Sequence, residues 1–250
     1  MRCTSSRPCC ARPPIHRYTM KRFFITGTDT GIGKTCITAG LTHLAVQSGY
    51  RTAAIKSLAA GQDWVDGRWI NDDVAILQQA GNMGLSEAQV CPLQLRTACA
   101  PHIAARKEGV VIERAAIISA IQNTAAQADV CMVEGVGGFR VPLLPGWDTA
   151  DLCADLQLPV VLVVGMRLGC LSHALLTAEA VRARGLQLVG WVANIIDPDM
   201  LYLEDNLHTL ADAQLGLQAP LWGRVPRLSP VTPAAVAAHL NNDLVLKALA

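Results

Sequence analysis

The stretch Phe23-Phe24-Ile25-Thr26-Gly27-Thr28-Asp29-Thr30-Gly31-Ile32-Gly33-Lys34-Thr35 decides how the rest of the chain is read. A short apolar run ends in glycine and a glycine-rich turn follows. Gly-Lys-Thr then opens a segment, Thr35 to Gln47, whose helical periodicity is closed by Ser48-Gly49. Strand, turn and helix in that order are the setting that a phosphate-binding loop requires. Backbone N–H groups of such a turn wrap an anion, and the helix N-terminus adds partial positive charge. In this pattern Lys34 reaches the outer phosphates of a nucleotide and the Thr35 hydroxyl faces Mg²⁺. The spacing departs from the usual one: five residues separate Gly27 from Gly33, and Thr28 stands where a first glycine is common.

Outward from this loop, apolar runs alternate with helical stretches. Thr52–Ile55, Val130–Val133, Pro159–Val164, Leu188–Ala193 and Leu221–Val225 predict strands. Leu171–Ala183 predicts a helix, and Pro233–Ala248 a single long one. The run from Pro159 is β-branched and apolar on both faces, as a central parallel strand must be. Between Gly61 and Gln127 the pattern is weaker, with a loop expected over Gln62–Trp69 and helices near Asp73–Gln79 and Val111–Gln127. Alternation of this kind predicts a P-loop α/β domain over residues 20–250. Its mostly parallel central sheet would carry helices on both faces, a three-layer α/β/α arrangement. Ligands then lie at the carboxyl ends of the strands.

Composition sets the bounds. The 250 residues are 51% hydrophobic and 16% charged, which excludes a disordered chain, and no apolar run is long enough to cross a bilayer. A net charge of +1 and 4% aromatic residues give no basis for nucleic-acid or membrane-surface binding. Residues 1–19 differ from the rest. They hold Arg2, Arg7, Arg12 and Arg17, no acid, and no apolar segment of the secretory kind. They are expected to form a disordered extension outside the fold, ahead of the natural start at Met20-Lys21-Arg22. Cys36, Cys91, Cys99, Cys131, Cys153 and Cys170 show no C-x-x-C pair and no zinc spacing. Buried, reduced thiols and a cytoplasmic setting are the expectation.

Two charged residues stand at strand ends, and further polar residues open a helix or close another strand. Glu134 closes Val130–Val133 and precedes Gly135-Val136-Gly137-Gly138, a backbone that lets a ligand approach closely. It is either a metal ligand or an acid facing water. Lys56 closes the second strand, either to stabilise a transferring phosphoryl group or as an exposed strand-end lysine. Asp72 and Asp73 follow Asn71 at a helix start, where an acid serves equally as ligand or cap. Asn194 either reads an adenine edge or ties off a turn.

Taken in order, these motifs resemble the dethiobiotin synthetase family, ATP-dependent ring-closing enzymes of biotin synthesis. The resemblance rests on Gly27 to Thr35, Lys56-Ser57-Leu58-Ala59-Ala60-Gly61, Asn71-Asp72-Asp73 and Cys99-Ala100-Pro101-His102. It continues through Val133 to Gly138, Leu168 to His173 and Gly190-Trp191-Val192-Ala193-Asn194. It covers about Lys21 to Leu240, and the long loop spacing is the family's own. It implies Mg²⁺ on Thr35, Asp73 and Glu134. Phosphates would be cradled by Gly31, Ile32, Gly33, Lys34, Thr35 and Cys36. Gly135, Val136 and Gly137 would contact the nucleotide, and Asn194, Ile195, Pro226, Arg227 and Leu228 would form its base site. Thr30, Lys56 and Ala60 would meet the substrate. Gly169, Cys170, Leu171 and Ser172 would receive its carboxylate from the neighbouring subunit of a homodimer. Departures are Ala60 in place of a serine, Ser57-Leu58 in place of Pro-Val, Gly31 where some relatives have an acid, and Pro233 near an acidic nucleotide contact.

The reaction implied takes 7,8-diaminopelargonate, CO₂ and MgATP to dethiobiotin, ADP and phosphate, with Lys34 and Lys56 as the catalytic cations. The alternatives are a partitioning or positioning ATPase on the same loop, or another ATP-dependent ligase or kinase of small molecules. Neither an early second lysine within Thr28–Ile32 nor a basic amphipathic tail supports the first.

Overall fold

The structure, a computed structural model, describes residues 21–250; the expected extension over residues 1–19 lies outside the described residues. Six parallel strands form the main sheet: β1 (Lys21–Gly27), β2 (Thr52–Lys56), β3 (Val130–Glu134), β4 (Val160–Met166), β5 (Leu188–Ile195) and β6 (Leu221–Val225). From edge to edge they run β6, β5, β4, β1, β3, β2. All the pairings within this sheet are parallel.

Alternation along each strand divides the core in two. Phe23, Ile25, Met132, Val161 and Val163 face helix α1 (Lys34–Gln47) and the two C-terminal helices, through Ile37, Leu41, Val236 and Val245. Phe24, Val133, Leu162 and Val164 face the other side, where the helices Arg114–Ala125, Thr149–Leu156 and Cys170–Ala183 supply Ile121, Leu152 and Ala178. Every residue of β4 is buried, as its apolar run requires. Thr38 and Thr42 lie buried in α1 without loss because their hydroxyls donate to the carbonyls of Lys34 and Thr38.

Two expectations are corrected. The Gln62–Trp69 loop is largely an antiparallel hairpin, Asp63–Val65 against Arg68–Ile70. Its turn is Asp66-Gly67, both at positive φ, the dipeptide that a tight hairpin favours. The long C-terminal helix is two, Pro233–Ala237 and Asn242–Leu249. The chain between them turns to the open edge of β6. There Arg224 N–H donates to the His239 carbonyl and Asn241 N–H to that of Trp222. Asn241 then caps the last helix, accepting from Leu244 N–H.

The topology places one crevice. β1 lies between β3 and β4, so successive connections leave it in opposite directions. The loop after β1 therefore occupies the switch point of the sheet, with Lys56, Glu134, Asn194 and Pro226 at neighbouring strand ends.

Candidate active site

The loop from Gly27 to Thr35 is held from three sides. Thr28 N–H donates to Val163 C=O at 3.1 Å, and the Thr28 hydroxyl accepts from Gly165 N–H at 3.4 Å. The residue in place of the usual glycine thus fastens the loop to β4. Asp29 accepts from Thr30 N–H and pairs with Arg167, just beyond β4. Gly33 takes φ of 82°, and a β-carbon there would lie 2.3 Å from the Asn194 amide nitrogen. That amide donates to Ile32 C=O at 2.7 Å, so β5 also grips the loop. Only a residue without a side chain fits under it.

Lys56 and Glu134 are register partners at the ends of β2 and β3. The Lys56 ammonium lies 2.6 Å from Glu134 Oε1 and 2.6 Å from Asp73 Oδ2. Asp73 comes from helix α2 (Asp72–Ala80), which Asn71 caps by accepting from Val74 N–H. Asn71 also donates to Gly61 C=O at 2.6 Å, pinning the hairpin's base to the helix start. The cap is therefore Asn71, and of the two acids Asp73 faces Lys56 while Asp72 is exposed. The Thr35 hydroxyl donates to Glu134 Oε1 at 2.8 Å. Glu134 is fully buried and Lys56 is 4% exposed, which disposes of both solvent-facing alternatives.

These groups set one another's charge. Burial pushes Lys34 down to about 8, Glu134 and Asp73 opposing and Lys56 adding to the fall. Burial would also lower Lys56, but Glu134 and Asp73 outweigh it and hold its pKa above the ordinary lysine value. Burial acts to raise Asp73, yet Lys56, Thr35 and Lys34 keep it below the ordinary carboxylate value. The Cys36 thiol is pushed up by burial, then by Glu134 and Asp73.

Two adjoining cavities share Cys36. One of about 380 Å³ is lined by Thr30, Gly31, Gly33, Lys34, Thr35, Lys56, Ala60, Asp73, Glu134, Val136 and Gly137. The other, about 360 Å³, is lined by Asn194, Ile195, Pro226, Arg227 and Leu228 with apolar Val225, Val231 and Val236. Expected phosphate and base residues thus fall into separate, neighbouring spaces. Cys36 is half-buried between them, as Cys99 is elsewhere, while the other described cysteines are buried. Ile32 offers only backbone, since its side chain is in the core.

Gly135 lines neither cavity, and nor does Gly169, Cys170, Leu171 or Ser172. Cys170 is buried, with its N–H bonded to Arg167 C=O. Asn71 was not among the expected site residues, yet it lines the first cavity. Its place just before two acids at a helix start was the signal.

The donors suit a divalent cation accompanied by phosphates. Glu134 Oε2 is buried and has no hydrogen-bond partner. With Thr35 Oγ1 and Asp73 it offers the hard oxygens that Mg²⁺ takes. Among the described residues no group of three or more His, Cys, Asp or Glu could hold a metal, and Mg²⁺ commonly completes its shell with water and substrate phosphates.

A family model described as an AAA domain matches residues 21–235. Among solved structures, a ParA family ATPase from Chlorobium tepidum TLS has a TM-score of 0.52 at 14% identity, covering 92% of each chain. The MinC:MinD cell division complex of Aquifex aeolicus contains a chain with a TM-score of 0.51 at 13% identity, covering 92% of this chain and 93% of that one. These share the fold. An ATP-dependent dethiobiotin synthetase from Aromatoleum aromaticum is 51% identical, over 88% of this chain and 97% of its own. One from Pseudomonas aeruginosa (strain LESB58) is 52% identical, over 89% of this chain and 96% of its own. The chain belongs to the ATP-dependent dethiobiotin synthetase family.

Proposed function

We propose that this protein closes the ureido ring of dethiobiotin from 7,8-diaminopelargonate, CO₂ and ATP. The observation that carries the reading is the meeting of Lys34, Lys56, Thr35, Asp73 and Glu134 around one cavity beside the phosphate loop. One substrate amine captures CO₂ as a carbamate and releases a proton. A carbamate oxygen attacks the γ-phosphorus, ADP leaves, and a carbamic–phosphoric anhydride remains. The second amine attacks the carbonyl, the C–O bond to phosphate breaks, and the ring closes.

No protein nucleophile is required, because the carbamate attacks. The protein compensates charge where an anion meets an anionic phosphate. Backbone N–H groups of Gly31 to Cys36 hold the phosphates and Lys34 clamps the outer ones. Lys56 faces the reacting carbamate. Thr35, Asp73 and Glu134 would hold Mg²⁺, which when bound offsets phosphate charge. Asn194, Ile195 and Pro226 to Leu228 take the base, with Gly135 to Gly137 beside the nucleotide. Thr30 and Ala60 meet the diamine, whose confinement turns separate encounters into steps within one complex.

The carboxylate end of the diamine is assigned to Gly169–Ser172 of a second subunit. Leu168 is 92% exposed and Leu176 61% exposed around that loop, apolar surface that suits a homodimer. Residues 20–250 act as one domain, in a cytoplasmic enzyme. Among the described residues no helix is long and apolar enough to cross a membrane.

Rapid mixing with heavy-oxygen CO₂ tests the chemistry. Carbamate attack moves one labelled oxygen into the released phosphate, whereas attack by water leaves the phosphate free of CO₂-derived label.

A further inference from the structure

We infer that, before nucleotide binds, Lys56 occupies the place of the divalent cation, so that free metal is refused and the cation enters only with its nucleotide. The inference rests on the metal reading proposed above. Two carboxylates converge at the end of β3 and the start of α2, and like charges so placed repel. The Lys56 ammonium bridges them at 2.6 Å on each side. Glu134 Oε1 also takes the Thr35 hydroxyl, while Glu134 Oε2 is buried without a hydrogen-bond partner.

The charges facing the cavity balance: Lys34 and Lys56 against Asp73 and Glu134. A bare divalent ion would put two further positive charges beside two buried ammonium groups. It would also find only three protein groups, Thr35, Asp73 and Glu134, with no phosphate to share its octahedral shell. A nucleotide brings both the missing oxygens and the missing negative charge. With Asp73 and Glu134 engaged on a metal, Lys56 would lose both partners and be free to face an anion. Arrival of the metal nucleotide is thereby tied to release of the lysine that the carbamate needs.

Equilibrium dialysis with Mn²⁺ tests this without turnover. The wild-type protein should retain no tightly held Mn²⁺ alone, and one ion per chain with a non-hydrolysable ATP analogue. Lys56→Gln should bind Mn²⁺ without nucleotide about a hundredfold or more tighter than wild type, because a unit charge within a few ångströms has gone. Lys56→Arg, which keeps the charge, should behave as wild type. Should Lys56→Gln fail to fold, Lys56→Met keeps the apolar stem and carries the same expectation, and the wild-type arms stand alone. Equal Mn²⁺ affinity in wild type and Lys56→Gln overturns the inference while leaving the metal site intact. Absence of Mn²⁺ from wild type even with the analogue overturns the metal reading as well.

Discussion

Lys56 and Glu134 end adjacent parallel strands in register, and their side chains meet at 2.6 Å with Glu134 fully buried. Strand pairing alone brings these opposite charges together at the sheet's carboxyl edge. Asp73 then has to be delivered from elsewhere, and the Asn71 cap on α2 delivers it.

Glu134→Gln keeps the shape and a carbonyl acceptor but removes the charge. The Mg²⁺ needed for half-maximal rate should rise by about an order of magnitude or more. Stability should fall by about 1–3 kcal/mol, because Lys56 and Thr35 then bond to a neutral group. A Mg²⁺ titration that overlays wild type removes Glu134 from the ligand set.

Lys34→Ala deletes the clamp on the outer phosphates. Its ammonium rests on Asp29 C=O at 3.0 Å, ready to exchange that partner for an anion. Turnover should drop by about two orders of magnitude or more, with the fold retained by circular dichroism. Near-normal ring closure in this variant counts against the assignment.

ATP affinity should depend on pH through the same lysine. Its folded pKa is lowered from 10.5 to about 8, so between those values the folded protein, before ATP is added, has lost a proton that the unfolded chain keeps. This group's stability contribution therefore rises with pH across that window, as a buried charge is relieved. Phosphate binding goes the other way and weakens by about tenfold per pH unit above the lower value. Lys56, held charged by Glu134 and Asp73, adds nothing to that limb. Calorimetric ATP titrations should show the slope in wild type and lose it in Lys34→Arg; a flat wild-type profile contradicts the account.

Gly33→Ala puts a β-carbon where the Asn194 amide lies, at a φ of 82°. The left-handed backbone alone costs about 1–2 kcal/mol. Displacing Asn194 from Ile32 C=O also loosens the loop, so both melting temperature and ATP affinity should fall. An unchanged affinity means that the grip of β5 on the loop is not needed for binding.

The sheet and the phosphate loop were legible because local pattern dictates them. Apolar runs such as Val160–Val164 have one comfortable environment, and Gly-Lys-Thr after a strand has one common geometry. The strand-end position of Lys56 and Glu134 was legible too, but burial was not, since it depends on which strands become neighbours. Spacing alone leaves Asp72 and Asp73 equivalent; the family resemblance points to Asp73, and the helix phase that Asn71 sets is the physical reason. Asp66-Gly67 was a hairpin signal that the polar character of Gln62–Trp69 masked. The break near Leu240 is tertiary in origin: helical propensity there yields to hydrogen bonds along the edge of β6. Asn194 carries a duty no spacing announces, the bond to Ile32 across the sheet.

The most direct test of ring closure is phosphate release by the purified protein in CO₂-depleted and CO₂-supplied buffer, with and without 7,8-diaminopelargonate. The account predicts release only when diamine and CO₂ are both present, in step with formation of the cyclic urea. Brisk release from ATP alone, or a phosphorylated diamine as the final product, would contradict it.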